Sequence, residues 1–167
     1  MASGDERAST PDLDATDLRI GVIGTRWNAD IVARLRDGAM RGLDAYGVRD
    51  VVELSVPGAY ELPLAAQFLA QSGVVDGIVV IGAVIRGDTT HYELVAGECG
   101  RAIMDVQLAT NTGIGMGVLT VENADQALVR SEGPGGHNVG EEATTVAVEM
   151  AILKRTFPAT HAPKDYK

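Results

Sequence analysis

The stretch Gly77-Ile78-Val79-Val80-Ile81-Gly82-Ala83-Val84-Ile85 is hydrophobic at nearly every position. A strand with one wet face alternates apolar and polar residues. A continuous apolar run of this length implies burial on both faces, as in a central parallel strand. The loop Arg86-Gly87-Asp88-Thr89-Thr90 follows at once, and a helix is expected from about His91 to Asn111. Val95, Cys99, Ala102, Ile103 and Val106 would form that helix's apolar face.

The same strand-then-helix grammar extends in both directions. Upstream, Leu18–Gly24 is a short apolar run, and Asn28 is placed to cap a helix reaching Gly47, with Ile31, Leu35, Ala39 and Leu43 on one stripe. Val51–Val56 is a second strand, broken by Pro57-Gly58, with a helix expected over Glu61–Ser72. Downstream, Ile114–Val121 is the fourth strand and Ala124–Ser131 a short helix. The glycine-rich turn Gly133–Gly140 leads to a last helix, Glu141–Phe157, whose buried face carries Ala143, Val146, Ala147 and Met150. Repeated β-α units predict an α/β domain over residues 18–157, a four-stranded parallel sheet with helices on both faces. Residues 1–17 read as a flexible N-terminal arm and 158–167 as a loose tail.

Composition narrows the function. The net charge of −9 argues against a general nucleic-acid surface, which needs a basic stripe. It leaves room for a local pocket for a small phosphorylated ligand. One cysteine, Cys99, excludes an internal disulfide and reads as a small apolar helix residue. No CxxC or HExxH spacing occurs, so no metal site is expected. No apolar run approaches a membrane span, and the arm lacks a signal-peptide core, so a cytoplasmic protein is expected.

In parallel sheets, ligands bind beyond the carboxyl ends of the strands. The residues just after each strand therefore carry the chemistry. Gly87–His91 opens a helix, where backbone N–H groups and the helix dipole favour an anion, although an ordinary capped start would look the same. His91, in the first turn, is placed to move protons beside such a site; a lone histidine is otherwise a surface or core residue. Trp27 either covers the core or stacks on a flat heterocycle. At Gly58 the backbone can approach a ligand closely, and Glu61 either favours a helix dipole or accepts hydrogen bonds from sugar-like hydroxyls. Arg130, by itself, reads as a solvated charge.

Taken in order, these segments resemble the lumazine synthases. The matching pieces are Arg26-Trp27-Asn28, Val56-Pro57-Gly58-Ala59-Tyr60-Glu61-Leu62-Pro63 and Gly82-Ala83-Val84-Ile85-Arg86-Gly87-Asp88-Thr89-Thr90-His91. Gly117-Val118-Leu119-Thr120, Asn123, Gln126-Ala127, Arg130 and Ala147-Val148-Glu149-Met150 continue the match, which runs from Leu18 to Phe157. The resemblance implies a flavodoxin-like α/β/α sandwich, no cofactor, and two substrates, 5-amino-6-(D-ribitylamino)uracil and 3,4-dihydroxy-2-butanone 4-phosphate. It implies that Trp27 stacks on the pyrimidine, that Ala59, Tyr60 and Glu61 hold the ribityl chain, and that Ala83, Val84 and Ile85 hold the ring edge. Asp88 and Thr89 would bind phosphate with Arg130 as charged partner, and His91 would shuttle the proton. Met116 would reach a ligand across a subunit boundary.

One departure stands out. Many relatives carry lysines before the last helix, whereas Gly133–Gly140 has none; His137 is the candidate phosphate helper there, in a His-Asn-x-Gly-Glu pattern similar to fungal members. The resemblance also implies a homopentamer, and it allows a 60-subunit shell and an association with riboflavin synthase. A turn one residue longer than in shell formers, containing Pro134, favours free pentamers. Three other readings compete. A flavin-binding module would need a better phosphate loop than Gly24-Thr25-Arg26-Trp27. A phospho-acceptor signalling domain would need a carboxylate pair that is absent after the first strand. A catalytically silent shell protein on the same fold is kept open by the missing lysines.

Overall fold

The computed structural model describes residues 10–157. The expected tail, residues 158–167, and the first nine residues of the expected arm lie outside the described residues. Four strands form one parallel sheet: β1 (Arg19–Thr25), β2 (Asp50–Val56), β3 (Gly77–Ile85) and β4 (Gly113–Val121). Their spatial order is β2-β1-β3-β4, the doubly wound, flavodoxin-like order in which the chain reverses direction between β1 and β3. Five α-helices complete the described chain: α1 (Ala29–Ala45), α2 (Leu62–Gln71), α3 (His91–Thr110), α4 (Ala124–Leu128) and α5 (Val139–Thr156).

The two-faced burial expected of the central strand is present. Val79, Ile81 and Ala83 of β3 face a core built with Leu35 and Ala39 of α1 and Ala143 and Ala147 of α5. Ile78 and Val80, pointing the other way, join Leu62, Ala66 and Leu69 of α2 and Cys99, Ile103 and Val106 of α3. The result is three layers: α1 and α5 on one side, α2 and α3 on the other.

β4 shows how closely the layers meet. Gly113, Gly115 and Gly117 alternate along the face under α5. A Cβ at Gly115 would stand 1.8 Å from the Ala143 carbonyl oxygen, and one at Gly113 2.4 Å from the Met150 Cβ. Only glycine lets the backbone of α5 lie directly on the sheet here.

Local structure departs from the sequence reading in five places, the first on α5, where Val146 and Met150, expected on the buried face, are 46% and 42% exposed while Val148 and Ala151 are buried in their stead. The last residues of the expected arm are docked: Ala15 is fully buried, its N–H donates to the Tyr46 carbonyl at 3.1 Å, and Leu13 packs on the same core. Asn28 occupies the helix N-cap position, yet its side chain caps nothing. It sits at φ 55°, ψ 48° and donates through Nδ2 to the Ala83 carbonyl at 2.8 Å. Asparagine tolerates this left-handed backbone, and the tertiary partner outcompetes the local one. The helix expected from Glu61 is split into a 3-10 turn, Ala59–Glu61, and α2, which has a proline in its first turn. Finally, α4 ends at Leu128, which leaves Arg130 just beyond it.

Candidate active site

A cavity of about 580 Å³ opens at the carboxyl ends of β1, β2 and β3. This is the position that the reversal of strand order prescribes, and the volume suits a small-molecule site. Three strand ends and one helix start supply its walls: Thr25, Trp27 and Asn28 after β1; Gly58, Ala59, Tyr60 and Glu61 after β2; Ala83, Val84 and Ile85 of β3; and Gly87, Thr89, His91, Tyr92 and Val95 beyond it.

The first wall is tied to the second through backbone. Arg26 donates its N–H to the carbonyls of Val56 (3.0 Å) and Pro57 (3.2 Å). Trp27 is therefore carried against the β2 turn, and it remains 74% exposed, which excludes a role as a core cover. A Cβ on Gly58 would lie 3.2 Å from Trp27 Cδ1 and 3.3 Å from Glu61 Oε2. The close approach that Gly58 permits is thus made by Trp27 and Glu61. Glu61 Oε2 accepts a hydrogen bond from the Gly58 N–H at 2.9 Å, which fixes that carboxylate at the rim.

The β3 wall is fixed by Asn28. Its bond to Ala83 holds the start of α1 against the end of β3, beside the residues Ala83–Ile85 that line the cavity. Thr25, 5% exposed at the floor, buries a hydroxyl that has no hydrogen-bond partner. The last wall begins α3. The Thr89 hydroxyl accepts from the His91 N–H at 3.4 Å, and His91 and Val95, one helical turn apart, both border the cavity. The side chains assigned to the ring, the ribityl chain and the proton shuttle in the sequence therefore converge on one space.

The remaining candidates stand apart from it. Asp88 is exposed on the same loop, flanked by the lining residues Gly87 and Thr89. Met116 lies in mid-β4, opposite Val80, and is 36% exposed on the α3 side of the sheet. Arg130 donates through Nη1 to the Gln126 carbonyl at 3.0 Å, where its charge also meets the carboxyl end of α4. His137 Nε2 lies 3.3 Å from Glu142 Oε1. No group of three or more metal-ligating side chains, and no helix long and apolar enough to cross a membrane, occurs among the described residues.

The chain is similar to known proteins over most of its length. The family model for 6,7-dimethyl-8-ribityllumazine synthase matches residues 17–155. The chain belongs to this family. A 6,7-dimethyl-8-ribityllumazine synthase of Deinococcus deserti is 45% identical over 148 residues, which cover 87% of this chain and 94% of the relative. That of Bdellovibrio bacteriovorus is 42% identical over 142 residues (85% and 78%), and that of Burkholderia multivorans 44% over 145 residues (86% and 81%).

Several residues stand at or beside the site without having been assigned to it in the sequence, where Val95 was read only as part of the apolar face of α3. Tyr92 and Val95 line the cavity, and helical spacing from His91 was the signal that would have found Val95. Arg86 pairs with Glu93 and, through Nε, with Glu122 at 2.7 Å, and its guanidinium lies 4.3 Å from the centre of the Tyr92 ring. The hydrogen bond from Arg86 holds the Glu93 carboxyl below its ordinary range. Cys99 supplies no nucleophile: burial pushes its thiol up to about 11.

Proposed function

We propose that the cavity condenses 5-amino-6-(D-ribitylamino)uracil with 3,4-dihydroxy-2-butanone 4-phosphate to 6,7-dimethyl-8-ribityllumazine, releasing phosphate and water. The observation that carries this reading is the convergence of Trp27, Ala59–Glu61, Ala83–Ile85, Thr89 and His91 on one cavity in a member of this family.

The residues divide the work by chemistry. Trp27 offers an exposed aromatic face to the pyrimidine. Tyr60 and the rim carboxylate of Glu61 face the ribityl hydroxyls, and Ala83, Val84 and Ile85 form the edge against the ring. The amine attacks the ketone to form an imine with loss of water. Phosphate then leaves, which the start of α3 with Asp88 and Thr89 assists by accepting the anion at its N–H groups. His91, on the same turn, shuttles protons between these steps. Ring closure with loss of a second water completes the product. Most of the rate gain comes from holding two reactants together. Arg130, Met116 and His137 enter from a neighbouring copy in a homopentamer, Arg130 and His137 toward the phosphate and Met116 toward the ring. The same reading places the enzyme in the cytoplasm.

The test is growth of lumazine absorbance with both substrates, using the wild-type chain and His91→Ala. Wild type should turn over, and the variant should lose about 10–10³-fold in kcat while keeping its fold. A wild-type chain that is inactive with both substrates would overturn the reading in favour of a silent protein on this fold. Full activity of the variant would remove His91 from the mechanism.

A further inference from the structure

We infer that Arg86 is a positioning residue for the condensation, acting as a clamp that sets the loop from Gly87 to Thr90 and the first turn of α3. The inference rests on the function proposed above and extends it to a residue outside the cavity wall.

Arg86 stands where β3 ends, and its N–H donates to the Val121 carbonyl of β4 at 2.9 Å. Its side chain then turns back over the loop that it begins. One edge of the guanidinium pairs with Glu93, in the first turn of α3. The Nε edge pairs with Glu122, just past the end of β4, at 2.7 Å. The flat face lies over Tyr92, 4.3 Å from the ring centre, and Tyr92 borders the cavity. One planar group thus ties together the end of β3, the end of β4 and the start of α3.

The loop between these anchors has little else to fix it. Gly87 has open space around its Cβ position, and Asp88 is exposed. Within the loop, Thr89 accepts only a long 3.4 Å bond from the His91 N–H. Yet Thr89 and His91 must sit correctly relative to both reactants. Arg86 is not itself poised to take the phosphate, because two carboxylates already face its charge. A lysine could not reproduce the arrangement: it is a point charge without two pairing edges and a stacking face.

The experiment compares Arg86→Met, Arg86→Lys, Glu122→Gln and the Arg86→Met/Glu122→Gln double variant in the full chain. Kinetics are measured with both substrates, pyrimidine affinity by quenching of Trp27 fluorescence, and backbone order by amide hydrogen exchange. Arg86→Met should lower kcat about 10–100-fold, the scale of a small misplacement. Pyrimidine affinity should change by less than about three-fold, separating this loss from uniform weakening of binding. Arg86→Lys should recover little. Glu122→Gln should cost less than Arg86→Met, and the double variant should be no worse than Arg86→Met alone. Exchange should quicken in residues 89–93 and stay unchanged in α5.

An unaltered kcat in Arg86→Met would overturn the inference. So would a rise confined to the ketose-phosphate KM, which would make Arg86 a direct phosphate ligand. Faster exchange throughout the sheet would make it a general stabiliser. If the wild-type chain forms no lumazine, the proposed function fails by itself. Exchange at residues 89–93 then still decides whether Arg86 clamps the loop.

Discussion

Trp27 and Arg130 make opposite predictions about the two substrates, and both can be read from what each side chain touches. Trp27 is packed against Gly58 at its edge and leaves most of its surface open at the cavity rim. Base stacking on an aromatic ring contributes about 1–3 kcal/mol, so Trp27→Ala should weaken the pyrimidine by roughly 5–150-fold and leave the ketose phosphate nearly unaffected. Arg130 holds its guanidinium beside the Gln126 carbonyl, away from this chain's own cavity wall. A charge-assisted bond to phosphate contributes about 1.5–3 kcal/mol, so Arg130→Ala should raise the ketose-phosphate KM by roughly 10–150-fold. Titrating each substrate against each variant tests the pair. Equal losses for both substrates in Arg130→Ala would show that its bond to α4 is its whole role. Normal pyrimidine binding in Trp27→Ala would end the stacking proposal.

The stripe Gly113, Gly115 and Gly117 governs how α5 meets the sheet. A methyl group at Gly115 would enter the space of the Ala143 carbonyl, which is rigid helical backbone. Overpacking of this kind costs about 1–3 kcal/mol or more, so Gly115→Ala should lower the thermal midpoint markedly. Gly133→Ala is the control, since nothing lies within 4 Å of that Cβ position. Similar midpoints for the two variants would mean that α5 can slide off β4 at no cost. The elements themselves were legible in sequence, because the apolar run of β3 and the stripes of α1 and α3 record burial on known faces, whereas the stripe read for α5 placed the exposed Val146 and Met150 inside. The glycine alternation of β4 played no part in the sequence reading, because the helix that lies on it is a distant segment of the chain. What escaped were choices made by distant contacts. Asn28 looks like a cap until Ala83 is brought beside it, and Arg86 looks like a loop charge until Glu93, Glu122 and Tyr92 surround it. Both depend on the fold that they help to hold.

At the scale of the molecule, α3 is apolar on two sides. Cys99, Ile103 and Val106 face its own core, while Leu94, Met104 and Leu108 are 54%, 52% and 73% exposed on the far side. Phe68 of α2, 63% exposed, and Met116 of β4 add to the surface on this flank. A helix with apolar residues on both faces suits a second cover, and the homopentamer proposed above would supply one in a further copy of the chain. The turn after α4 bears on how far assembly goes. It is closed by the Glu132 N–H to the His137 carbonyl at 2.9 Å, and Asn138 ties it to the Arg34 carbonyl of α1 at 3.0 Å. Its hydrogen bonds hold the turn in place, and its extra residue with Pro134 at the tip is the reason to expect assembly to stop at free pentamers. Five copies of a 17.5 kDa chain make a particle of about 88 kDa, against about 1,050 kDa for sixty. Light scattering during turnover should report the smaller particle, and Leu108→Asp should dissociate it with loss of activity, since Arg130 and Met116 would no longer reach a neighbour's cavity. A particle near the larger mass would reverse the inference from the turn. A wild-type chain that is monomeric and fully active would show that one copy completes the site alone.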